Sequence, residues 1–98
     1  LDWSQISRKY RESVQYTCEN KGCGIRLERD LRFMHTHHKN GIKVDIRPEN
    51  LECLCILCHY HQNEKHMENF EKGRIKKELE EFVEKYRGEL RACGNPFI

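Results

Sequence analysis

The stretch that most limits how this chain can fold runs from Phe33 to His66 and reads FMHTHHKNGIKVDIRPENLECLCILCHYHQNEKH. It holds all six histidines of the protein together with Cys53, Cys55 and Cys58, and the turn signal Asn40-Gly41 interrupts it. Imidazole and thiol groups are the side chains whose lone pairs and protons can be set for metal binding and proton transfer near neutral pH. Concentrating them between ordinary charged flanks points to chemistry, not to the filling of a core.

A chain of 98 residues, 37% hydrophobic and 35% charged, builds only a thin core and calls for a cross-link. Six cysteines offer two kinds. A disulfide framework suits a secreted domain and would come apart in reducing agent. Cys18 and Cys23, four residues between them, and Cys55-Ile-Leu-Cys58 form two knuckles instead, and together they supply the four thiolates that structural zinc prefers. With no signal peptide and no apolar span, a reducing, cytoplasmic setting away from membranes is expected. The zinc would staple the loop after the first helix onto the start of the helix that follows the second strand. Cys53 reads as a small core hydrophobe and Cys93 as a free thiol. The chain opens at Leu1 without Met, so a trimmed form or one domain of a longer protein is in view.

Periodicity gives a coarse order of elements. Trp3, Ile6, Tyr10 and Val14 fall at helical spacing, which predicts a helix over 4–14 capped by Ser4. Gly22 and Gly24 supply the positive φ of a knuckle. Residues 31–38 alternate as a strand, with Phe33, His35 and His37 on one side and Met34, Thr36 and His38 on the other. Ile42 to Ile46 alternates again until Pro48 stops it. Leu51 to Cys55 is a second strand, and a helix runs from Leu57 to about Met67. Past Gly73, Ile75, Leu79, Phe82, Val83, Tyr86 and Leu90 stripe a last helix over 74–90, facing the core. The tail from Gly94 to Ile98 is expected to fray. The expected fold is α+β: a single domain over 1–98, with a small ββα unit at 31–67 flanked by N- and C-terminal helices and stapled by zinc.

Within that unit Asn63 lies one helical turn beyond His59. With His37 from the first strand, the two could hold a divalent cation and leave positions open for water and phosphate oxygens. His38, on the other side of the strand, is then free to act as a general base, since imidazole titrates where taking a proton from water is practical. Asn50 can brace the backbone behind it. His35 reads as structural or solvent-facing and Asn50, taken alone, as a turn residue. His61 and His66 read as surface residues, although each is an alternative third ligand. Net charge is +2, but Arg26, Arg29, Arg32, Lys39, Lys43 and Arg47 surround the histidine run. They form either a basic face for a phosphate backbone or a scatter of solvated charges.

In HTHHKNG with His37 and His38, PENL with Asn50, and LCILCH with Cys55, Cys58 and His59, the chain resembles the HNH endonuclease family over about residues 17–66. The resemblance implies a ββα-metal fold that cleaves DNA, less often RNA, at a phosphodiester bond with magnesium, manganese, nickel or zinc. It implies His38 as the base that activates water, His37 and His59 as ligands of the catalytic ion, and Asn50 as the central Asn that orients the base. It also implies a structural zinc on Cys18, Cys23, Cys55 and Cys58. The first cysteine pair is wider than the family's usual C-x-x-C, and Asn63 stands where many members have a histidine. A non-catalytic zinc module that grips nucleic acid or protein is the competing expectation, and further domains or a second copy of the chain are open as partners.

Overall fold

The computed structural model describes residues 2–98, and the fold is α+β, with one two-stranded antiparallel sheet and four helices. Helix α1 spans Trp3–Ser13. Its cap is Asp2 and not Ser4, so it starts one residue earlier than the periodicity suggested. Asp2 Oδ1 accepts from the Gln5 N–H at 2.9 Å while Gln5 Oε1 accepts from the Asp2 N–H at 3.1 Å. This reciprocal box satisfies two amide donors at once, which a lone Ser4 hydroxyl could not do.

Strands β1 (Met34–His38) and β2 (Leu51–Cys55) pair so that His35 faces Leu54, His37 faces Glu52 and His38 faces Leu51. The first strand is shorter than expected because Leu31–Phe33 closes a 3-10 turn. That turn sends Phe33 into the core, 5.2 Å from Phe82 and 6.2 Å from Tyr86 between ring centres. Ile42 to Ile46 forms no strand despite its alternation. Asp45 is held by Asn40 at 2.9 Å and by Arg47 at 2.7 Å, which folds the segment onto itself and leaves Val44 87% exposed.

Each face of the sheet is covered by different helices. On one side α1 docks through a hydrogen bond between Ser7 Oγ and Thr36 Oγ1 at 2.8 Å. On the other lie α2 (Ile56–Tyr60) and α3 (Glu64–Phe70), two helices where one was expected. Asn63 makes the break. It sits in extended conformation and its Oδ1 accepts the His66 N–H at 2.9 Å, the bond of an N-cap residue, so a new helix begins there.

Helix α4 (Gly73–Ala92) buries Phe82, Tyr86 and Leu90, with Leu79 and Val83 partly covered. Ile75 belongs to the expected stripe but remains exposed. Asp30 clasps α4, receiving Lys85 Nζ at 2.8 Å and Tyr86 Oη at 2.9 Å. The tail does not fray. Asn95 is buried, and Phe97 stacks on His61 with ring centres 3.8 Å apart. Among the described residues no helix is long and apolar enough to cross a membrane.

Candidate metal centres

Four cysteines converge at the end of β2. One sulfur each from Cys18, Cys23, Cys55 and Cys58 lies within 4.8 Å of the other three, all are buried, and none is in a disulfide. The Cys23 and Cys55 sulfurs are 3.8 Å apart. Sulfurs on a tetrahedral zinc with bonds of about 2.3 Å are spaced about 3.8 Å. Two side-chain amides point at Cys58 Sγ, Asn20 Nδ2 at 3.2 Å and Asn95 Nδ2 at 3.6 Å, as donors do around a thiolate. Sulfur crowding splits the acidities. Hydrogen bonding with Cys18 leads in lowering Cys23 and Cys58, while contact with Cys23 raises Cys18 and contact with Cys18 raises Cys55. A divalent cation removes that conflict, because coordinated thiols are deprotonated outright. The residues fit a structural zinc.

The knuckle loop carries two glycines in different situations. Gly24 takes φ +72°, as a tight turn requires. Gly22 does not take a positive φ; a Cβ there would sit 3.0 Å from Pro96 Cδ, so the proline ring would have to give by a few tenths of an ångström. Cys53 is buried on β2 outside the sulfur cluster, and burial followed by the nearby Glu19 charge pushes its thiol up to about 12. Cys93 is exposed and free.

A second cluster gathers around His59, the residue that follows Cys58 on α2. His37 from β1, His59 from α2 and His66 from α3 each offer a ring nitrogen within 4.8 Å of the other two. Strand alternation aims His37 at the helices, and the Asn63 cap turns α3 so that His66 faces His59, with ring centres 4.8 Å apart. Burial is the leading cause that lowers all three rings, reinforced for His59 by His35, and His59 is held at about 3. Neutral imidazoles with lone pairs available are what a cation of the zinc or nickel type takes. Burial favours the neutral form of His37, which weakens its 3.9 Å approach to Glu52 as an ion pair.

Asn63 lines the same cleft, but its Oδ1 is engaged by the His66 backbone N–H and lies 2.9 Å from His66 Nδ1. Three rings meet there, and Asn63 orients one of them. His61 is elsewhere, stacked on Phe97.

His37, His59 and His66 share a cleft of about 620 Å³ with His38, Trp3, Lys43 and Lys65. His38 stacks on the Trp3 indole, ring centres 4.6 Å apart and 28° from parallel, and its Nε2 is buried with no partner among the described residues. Asn50 is buried beneath the turn that follows His38. Its Oδ1 accepts the Asn40 N–H at 3.1 Å and its Nδ2 donates to the Asp45 carbonyl at 2.8 Å, while its own carbonyl takes the Lys39 N–H at 2.7 Å. Three bonds thus pin the backbone leaving the strand. In the sequence Trp3 is only one position of a helical stripe, and its spacing does not encode the contact with His38.

Among curated proteins, Zorya protein ZorE of Escherichia coli is 44% identical to this chain over 61 residues. The match takes in 62% of this chain and 16% of that relative, so the chain spans a small part of its length. No protein-family model matches the chain, nor does any solved structure.

Proposed function

We propose that this chain is an HNH-type endonuclease domain that hydrolyses phosphodiester bonds in DNA with a divalent cation. The observation that carries this reading is the meeting of His37, His59 and His66 in the cleft that His38 also lines. His37, His59 and His66 hold the cation, of magnesium, manganese, nickel or zinc type. When bound it supplies charge neutralisation at the phosphate and stabilises the leaving oxygen. His38 takes the proton from the attacking water; its ring is kept in place by Trp3 on its face and by the Asn50-pinned turn behind it. Lys43 and Lys65 at the rim meet backbone phosphates. Cys18, Cys23, Cys55 and Cys58 carry the structural zinc.

Plasmid cleavage by His38→Ala tests the assignment. Removing a general base is expected to lower the rate about 10²–10⁴-fold while circular dichroism and zinc content stay as in the wild type. Full activity in that variant overturns the role of His38. A wild-type protein that binds DNA but cuts none of it with any of the four ions would instead support the non-catalytic zinc module.

A further inference from the structure

His35 lies two residues before His37 on the same face of β1, one rung below the three rings. Its Nδ1 is 2.9 Å from the Nδ1 of His59. Two ring nitrogens at that distance must share one proton: two N–H groups would collide, and two lone pairs would repel. The contact is held from several directions. The rings of His35 and His59 stand at 88° to one another, buried Leu54 faces His35 across the ladder, and the Phe70 ring lies 6.0 Å from His35 and 5.3 Å from His59. His59 therefore spends Nδ1 on His35, and Nε2 is the nitrogen left for His37 and His66.

Two proton arrangements satisfy the contact, and they differ in what His59 shows the cleft. If His35 donates, His59 keeps its proton on Nε2 and presents an N–H to the other two rings. If His59 donates from Nδ1, its Nε2 carries a lone pair there. We propose that His35 is a positioning residue for the cation site, accepting the His59 Nδ1–H and so fixing the tautomer and direction in which His59 Nε2 faces the ion. This rests on the reading of His37, His59 and His66 as ligands. Partners of this kind hold a ligating imidazole at the angle a metal needs, and their loss costs about 10–100-fold in metal affinity.

The experiment uses zinc-loaded protein labelled with ¹⁵N-histidine. Long-range ¹⁵N–¹H correlation spectra report which His59 nitrogen carries the proton before any further metal is added, and calorimetric titration with Ni²⁺ then reports the cleft's affinity. The wild type is expected to show His59 protonated on Nδ1. His35→Leu should weaken Ni²⁺ about 10–100-fold and make the His59 tautomer mixed, with zinc content unchanged. His35→Gln, whose carbonyl oxygen can still accept from His59, should recover most of both. A wild-type His59 protonated on Nε2, or equal Ni²⁺ affinity in His35→Leu and wild type, overturns the positioning role. A wild type with the Nδ1–H tautomer that takes up no Ni²⁺ overturns the cation reading, and with it the purpose assigned to the contact. Should His35→Leu lose its zinc, His35→Gln and the wild-type spectrum decide the matter.

Discussion

The sulfur knuckle and the imidazole cleft are two candidate metal sites that share one short helix, and they are built on opposite principles. Cys55 and Cys58 flank the start of α2 and point into the core with Cys18 and Cys23; His59, the next residue along, points out into a cleft. The knuckle is closed, with four ligands, complete burial and amide donors on one sulfur. The cleft has three rings, partial exposure and room beside them. Four-ligand sites hold structure, and three-ligand sites keep a place for water or substrate. The contrast teaches that one turn of helix can serve both when its neighbouring residues face different sides.

Breaking the knuckle should have the largest effect. Cys58→Ala is expected to lose zinc and with it the fold, since metal binding in such sites contributes about 10–16 kcal/mol and is coupled to folding. Loss of helical dichroism together with zinc in mass spectrometry checks this, and a folded, zinc-free variant would erase the distinction drawn here. Next in size is the third ring. His66→Ala should weaken Ni²⁺ in the cleft beyond the 10–100-fold that an outer partner costs, whereas Asn63→Ala, which removes the cap and the contact that orients His66, should cost about 1 kcal/mol of stability and weaken Ni²⁺ by no more than that 10–100-fold. The reverse ordering in calorimetry would return the ligand role to Asn63.

Acid sharpens the contrast further. Burial lowers His59 to about 3 and His35 to about 4, so between pH 6.5 and 5 the unfolded chain binds protons at these rings and the folded chain does not. The stability is complete above pH 6.5 and falls as pH drops, by at most about 1.4 kcal/mol per pH unit for each ring. In denaturant titrations of zinc-loaded protein, His59→Gln should show a shallower loss over that window than wild type. The smallest expected effect is at Trp3. Trp3→Ala removes a stacking contact of about 0.5–1.5 kcal/mol from His38, so plasmid cleavage should drop several-fold with zinc and Ni²⁺ binding intact, and Trp3→Phe should restore it.

Much of the fold is legible in the residues alone. The second strand, 51–55, follows from local alternation, and the pairing of the two cysteine motifs from the four thiolates that a tetrahedral site needs and two such knuckles supply. The break between α2 and α3 was missed, although Asn63 before Glu64 is a cap signal; apolar and aromatic residues on both sides made one long helix look continuous. The segment 42–46 misled in the other direction. Its alternation is real, but with only β1 and β2 in the sheet no third edge is paired, and the Asp45 contacts with Asn40 and Arg47 take the backbone elsewhere. Trp3 and His35 could not have been placed beside His38 and His59 from sequence, since each contact joins elements whose relative packing no local pattern encodes.

The adjacency of Cys58 and His59 has one further consequence. Consecutive residues share a peptide bond, so the backbone that seats the sulfur also sets where the imidazole begins. An oxidant or chelator that disturbs the four sulfurs would therefore also shift the imidazole cleft, without ever touching a histidine.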